Sequence, residues 1–171
     1  MDFRELADRR FSVRKFSARP VEREKLEAVL AAALAAPTAK NLQPQRIYVL
    51  QGADALAKLD ALTHCRYGAG TVLLFAYDTG EDWKNPLEEG VHSGVEDASI
   101  AATHAMLQAA ELGLGTCWCN YFANGELERA FGLPASEKSV LIMPLGYADG
   151  GAKPSPMHRT KRPAEEIVRY L

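Results

Sequence analysis

Arg9, Arg10, Arg14 and Lys15 punctuate the start of the chain, and Lys153, Arg159, Lys161 and Arg162 punctuate its end. Residues 1–20 and 152–171 hold 11 of the 20 Lys and Arg but only 5 of the 22 Asp and Glu, a balance of +6 against −8 for the residues between. Two cationic ends that converge in space can enclose a phosphate without a glycine-rich loop to supply the donors. Arg suits that task because its planar guanidinium bonds two phosphate oxygens at once. Each cluster alone reads as solvated surface; it is the pair that points to an anion.

A second constellation is Ala36-Pro37-Thr38-Ala39-Lys40-Asn41-Leu42-Gln43-Pro44-Gln45. Its prolines restrict the backbone, so Thr38, Asn41 and Gln43 can be held rigid to read the edge of a planar heteroaromatic, where donors and acceptors alternate. The same residue types are common in any turn.

Other chemistries fail on context. Gly113-Leu114-Gly115 follows a helical stretch and lacks the third glycine of a dinucleotide fingerprint. There is no Walker loop and no Gly-x-Ser-x-Gly elbow. Glu96 and Asp97 are neighbours on a helix and point to different faces, which argues against paired acid–base work. Cys65, Cys117 and Cys119 are odd in number, Cys117-Trp118-Cys119 lacks zinc-knuckle spacing, and His64, His92, His104 and His158 are scattered. Buried inert thiols and no metal site are expected.

A chain of 171 residues, 47% apolar and 25% charged, is expected to form one domain over 1–171. Its net charge of −2 argues against a general nucleic-acid binder, although residues 9–16 interleave basic and aromatic side chains as single-strand binders do. No apolar run reaches the ~18–20 residues of a membrane span, and the first residues lack an apolar signal region. The expectation is a cytoplasmic protein with no membrane or nucleic-acid partner.

The elements that must position these residues are mixed α and β, without the regular alternation of a doubly wound sheet. A helix is predicted over 21–36, with Leu26, Val29, Leu30, Ala33 and Leu34 on one stripe and Pro37 as its stop. Ile47–Leu50 predicts a strand, 53–63 a helix, and the continuous apolar run Thr71–Tyr77 an interior strand covered on both faces. The Asp78–His92 connection is long enough to be a lid. Ser93-Gly94-Val95-Glu96 has a capping-box pattern opening an alanine-rich helix to Leu112, either a core helix or a contact with a second copy. An extended Cys117–Phe122, a short helix capped by Asn124, a strand at Val140–Met143 and a short helix or arm from Glu165 complete the chain.

Five segments, in order along essentially the whole chain, resemble the FMN-dependent nitroreductase family: Arg10-Phe11-Ser12-Val13-Arg14; Pro37 through Pro44; Asp97-Ala98-Ser99-Ile100 leading to Glu111-Leu112-Gly113-Leu114-Gly115; Pro144-Leu145-Gly146-Tyr147; and Lys161-Arg162-Pro163-Ala164-Glu165-Glu166. The resemblance implies an α+β fold, a three-layer α/β/α sandwich with a mainly antiparallel central sheet, assembled as a homodimer. It implies FMN as cofactor, NADH or NADPH as electron donor, and a small nitroaromatic, quinone or similar acceptor reduced by ping-pong hydride transfer. Same-fold reductive dehalogenases and dehydrogenases, or a flavin-binding redox module without turnover, are the alternatives.

By the same resemblance, Arg10, Phe11 and Ser12 belong to the flavin's phosphate and ribityl site, and Arg14 lies near N1 and the C2 carbonyl. Arg159, Lys161 and Arg162 occupy the C-terminal phosphate-binding segment, with the contact made by one or more of the three. Pro37, Thr38, Ala39, Asn41 and Gln43 reach the flavin from the partner subunit, while Trp118, Cys119, Asn120 and Gly146 lie beside the ring. No residue is expected to act as acid, base or nucleophile, because the flavin carries the chemistry and Arg14 tunes it.

Overall fold

The computed structural model describes residues 2–171. In chain order the elements are α1 (Phe3–Arg9), α2 (Arg23–Leu34), β1 (Gln45–Leu50), α3 (Ala53–Asp60), β2 (Thr71–Asp78), α4 (Gly94–Glu111), β3 (Gly115–Thr116), α5 (Asn124–Phe131), β4 (Glu137–Gly146) and α6 (Ala164–Ile167), with short 3-10 turns at Ala39–Asn41 and Pro156–Arg159. The four strands form one sheet in the order β1-β2-β4-β3, and every neighbouring pair is antiparallel.

β2 shows why the sheet has helices on both sides. Its first seven residues are buried, as its unbroken apolar run requires. Leu73 and Phe75 pack with Val29 and Ala33 of α2 and the alanines of α4, whereas Val72 and Leu74 pack with Leu59 of α3 and Leu127 of α5. Alternate side chains of one strand thus enter two separate cores, which makes the three layers. The expected α/β/α sandwich is present.

Ala101, Ala102, Ala105 and Ala109 of α4 are fully buried against the sheet and α2, and Ala98 on the same helix is fully buried too. The alanine-rich face therefore serves close helix packing within the chain, which leaves the opposite face of α4, with exposed Val95 and Ile100, open to a second copy. Larger side chains on the alanine-rich face would overpack the core at a cost of about 1–3 kcal/mol each.

Several local expectations fail for identifiable reasons. Ser93 is not a side-chain cap for α4; its hydroxyl donates to Asp97 Oδ2 at 2.7 Å. Asn124 is the first residue of α5, its amide drawn away to Ser139 O at 2.7 Å. Leu34 was expected on the apolar stripe of α2 but is 67% exposed in the helix's last turn. Helix α1, started by Asp2 Oδ1 accepting from Glu5 N at 2.8 Å, escapes the sequence reading because it buries no residue fully.

Candidate functional site

Residues 11–17 run as an extended arm along the β3 end of the sheet. Val13 N donates to Thr116 O at 2.9 Å beside a parallel bridge between Ser12 and Thr116. Further along, Ser17 N donates to Tyr147 O at 2.9 Å and Asp149 N donates to Lys15 O at 3.0 Å. Val13 and Phe16 are buried, Ser12 is half-buried and Arg14 is exposed. The close fit depends on Gly115: a Cβ there would lie 2.6 Å from Val13 Cγ2. Gly146, paired with Gly115 across β3 and β4, lies against Phe16 in the same seam.

The two cationic ends converge. Arg9, Arg10, Arg159, Lys161, His158, Pro154, Ala7 and Asp8 line one cavity of about 630 Å³. His158 Nε2 lies 3.3 Å from Asp8 O, and its ring meets Phe11 edge-on with centroids 6.4 Å apart. Arg10 also lines an adjoining cavity of about 200 Å³ with Phe11, Val13, Gly113 and Thr116. Among the described residues, Arg10, Arg14, Arg159, Lys161 and Arg162 form no ion pair, whereas nearby Arg9 and Lys15 are paired with Glu5 and Asp149. Cations left unneutralised around a shared hollow are the donor set a phosphate monoester requires. The residues present fit an FMN phosphate. Arg162 does not line the cavity; neighbours in an extended segment face opposite ways, and Lys161 has the inward position.

The Pro37–Gln43 loop has an unusual backbone. Lys40, Asn41 and Gln43 all have positive φ, at 50°, 57° and 53°. Gln43 N donates to Thr38 Oγ1 at 3.1 Å, and Ala39 N donates to Asp97 Oδ1 at 2.9 Å. Thr38 and Ala39 are half-buried, while Pro37, Asn41 and Gln43 are exposed. The loop attaches to the first turn of α4. The cavity shared with Arg10 touches Ala110 and Gly113, at that helix's other end. From residue 97 to residue 110 is about 20 Å of helix. The structure therefore does not bring the loop and the arm together within one chain.

Beyond β3 the chain continues extended. Cys119 exchanges hydrogen bonds with Ile142 at 3.0 Å in both directions, and Trp118 Nε1 donates to Asn120 Oδ1 at 2.8 Å. Asn120 Nδ2 in turn donates to Val140 O at 2.7 Å. All three cysteines are free and buried, as expected of inert thiols. A hydrogen bond with Cys119, together with the charges of Arg14 and Arg10 and a bond with Ser12, outweighs burial and brings the Cys117 thiol down to about 7. Cys119 is pushed up by its bond to Cys117 and by burial. At 2% and 6% exposure neither thiol is open to reagents. Among the described residues no three His, Cys, Asp or Glu side chains are grouped to hold a metal ion. Among the described residues no helix is long and apolar enough to cross a membrane either.

The Asp78–His92 connection is an ordered loop around a buried carboxylate. Asp82, 6% exposed, accepts from Lys84 Nζ at 2.8 Å and from His92 Nδ1 at 2.6 Å. Burial alone would raise its pKa, but the two donors overcome this and hold it below the ordinary 3.8. A depressed carboxyl contributes stability that is present above about pH 4 and is lost as acid protonates it. Relative to intrinsic rates, the amides of Asn85 and Ser93, bonded to Val91 O and Trp83 O, are expected to exchange faster at pH 3 than at pH 7. Asp82→Asn is expected to abolish most of that difference; equal protection in wild type at both pH values would remove the carboxylate from the role.

Sequence reasoning missed Asp97, dismissed because its neighbour faces elsewhere. It also missed His158 in the cavity and the Val13–Gly115 fit. One signal was available for the last: a glycine in a two-residue strand implies close approach of something.

With this geometry in view, the likenesses to other proteins are specific. The sequence model described as the nitroreductase family matches residues 7–67 and 62–147. A crystal structure of a nitroreductase family protein from Clostridium difficile 630 superposes with a TM-score of 0.93 at 38% identity, covering 99% of this chain and 98% of that one. An FMN-dependent nitroreductase from Clostridium difficile R20291 matches at TM-score 0.74 and 28% identity over 92% of this chain and 96% of its own. The NADPH-flavin oxidoreductase of Vibrio harveyi is 26% identical over 168 residues, spanning 92% of this chain and 68% of that protein. The sheet order, the arm seated on β3 and the family match over most of the sequence agree: this chain belongs to the nitroreductase family.

Proposed function

We propose that this protein is an FMN-dependent oxidoreductase that uses NADH or NADPH to reduce a small oxidised acceptor such as a nitroaromatic or quinone. The observation that carries the reading is the cavity shared by Arg10, Arg159 and Lys161, cations from both ends of the chain that have no ion-pair partner among the described residues. FMN held there would supply the hydride chemistry that links a reduced nicotinamide to the acceptor.

The protein's part is to hold, orient and tune. Arg10, Arg159 and Lys161 neutralise the phosphate. Ser12, fixed beside Thr116, offers a hydroxyl to the ribityl chain, and the segment Trp118–Asn120 with Gly146 gives the ring a rigid wall. Arg14, exposed and without an ion pair among the described residues, is the cation available to stabilise negative charge on a reduced ring. The contribution of Phe11 is to close the phosphate cavity through its edge contact with His158.

Thr38, Asn41 and Gln43, with Pro37 and Ala39 shaping their backbone, complete the site from a second copy of the chain. A two-fold axis across α4 sets the Asp97 end of one helix against the Gly113 end of its mate. The helix-length separation noted above supports this homodimer, since one chain cannot bring both halves to one ring.

The test is simple. Purified protein should be yellow, bleach on addition of NADH or NADPH without air, and recover colour with a quinone, consuming nicotinamide catalytically. Bleaching without turnover would make it a redox module. Failure to retain or bind FMN would sink the reading.

A further inference from the structure

We propose that Asp97 is a positioning residue, whose buried carboxylate locks the Thr38–Gln43 loop in its left-handed backbone and so fixes the face that the loop offers to the flavin. The inference rests on the functional reading above. It adds a residue on α4 that touches neither the cationic cavity nor the loop's exposed side chains.

Non-glycine residues with positive φ are uncommon and cost energy, yet here three occur within four positions. Such a backbone persists only where its surroundings over-determine it. Two contacts do so. Thr38 Oγ1 closes the loop on itself by accepting from Gln43 N. Asp97 Oδ1 ties it to the fold by accepting from Ala39 N at 2.9 Å, across 58 residues of sequence.

The carboxylate is 2% exposed and forms no ion pair among the described residues. Its other oxygen, Oδ2, accepts from Ser93 Oγ at 2.7 Å, and it lies in the first turn of α4, where the helix dipole favours negative charge. Ser93 Oγ in turn accepts from Trp83 N at 3.2 Å. One buried acid thus joins the flavin-facing loop, the start of the longest helix and the Asp78–His92 connection. A surface turn would not need such a post, because water would satisfy Ala39 N.

The chemistry separates hydrogen bonding from charge. In D97N the amide oxygen can still accept from Ala39 N, and the amide nitrogen can donate to Ser93 Oγ. In D97A both bonds are lost and Ala39 N is left half-buried without an acceptor.

The experiment titrates FMN into flavin-free full-length protein, following flavin fluorescence well below each variant's melting temperature. D97A is expected to raise the FMN Kd more than tenfold, while D97N stays within threefold of wild type even if its melting temperature falls. A purely structural role would make affinity track melting temperature in both variants. If D97A does not fold, A39P removes the donor from the other side. Its ring suits the first position of the 3-10 turn after the extended Thr38, and it must raise Kd by a similar factor. Wild-type affinity in D97A or in A39P, or a loss in D97N equal to that in D97A, would overturn the assignment. Absence of FMN binding by wild type would instead overturn the functional reading.

Discussion

Replacing Arg10 and Lys161 together by alanine is expected to weaken FMN binding by about 10²- to 10⁴-fold. Charge-assisted hydrogen bonds contribute about 1.5–3 kcal/mol each, and the two sides lose one each; at 1.4 kcal/mol per factor of ten the range follows. The fold should survive, because neither residue is fully buried and neither forms an ion pair among the described residues. Each single variant should lose about the square root of the double effect, since Arg10 and Lys161 approach the cavity from opposite ends of the sequence. Arg23→Ala is the control: it removes the exposed Arg23–Glu27 pair at 2.7 Å, neither member of which lines the Arg10 cavities, and should leave affinity unchanged. Loss of affinity confined to low salt would indicate diffuse attraction instead of a bound phosphate. Unchanged FMN content in the double variant would contradict the assignment.

Gly115→Ala is expected to harm both stability and flavin binding, although it adds one methyl group. That carbon would lie 2.6 Å from Val13 Cγ2, closer than packed atoms tolerate, and Val13 is itself 2% exposed with no room to retreat. The clash lifts the arm from β3 and lengthens the bond between Val13 N and Thr116 O. Overpacking of this kind costs about 1–3 kcal/mol, which corresponds to roughly 2–12 °C in melting temperature for a chain of this size. Because Ser12 and Arg14 flank Val13 on the same arm, FMN affinity should fall as well. Val13→Ala in the same chain should restore much of both by clearing the space. A single variant with wild-type melting temperature and FMN affinity would show that the arm's seat does not position the site.

Much of this arrangement can be read from residue types alone, and the boundary is physical. The convergence of the two ends follows from opposite charge balance in the ends and the middle, and Arg10 and Lys161 do share a cavity. The interior strand follows from an apolar run with no alternation, and β2 does feed two cores. The left-handed backbone at Lys40, Asn41 and Gln43 was not legible, because none is glycine and the strain is held by a group 58 residues away. Asp97 was overlooked for the same reason: its partner is a main-chain amide, which has no signature in sequence. Ser93 and Asn124 were misread because a capping pattern assumes that the side chain turns inward to its own helix. The Ser93 hydroxyl is instead taken by a side chain of its own first turn, Asp97, and the Asn124 amide by the Ser139 carbonyl of β4.

The two halves of the proposed site lie at opposite ends of α4, so everything depends on whether a second copy supplies the loop. A mixed dimer decides it. One differently tagged subunit carries Arg10→Ala and Lys161→Ala, and its mate carries Thr38→Ala and Asn41→Ala; FMN is titrated into the purified hybrid. If the loop acts across the interface, both defects fall on one ring and the other site is intact, giving half an FMN per chain at wild-type affinity. If no wild-type site remains in the hybrid, each defect has struck a separate site, and the shared arrangement is wrong.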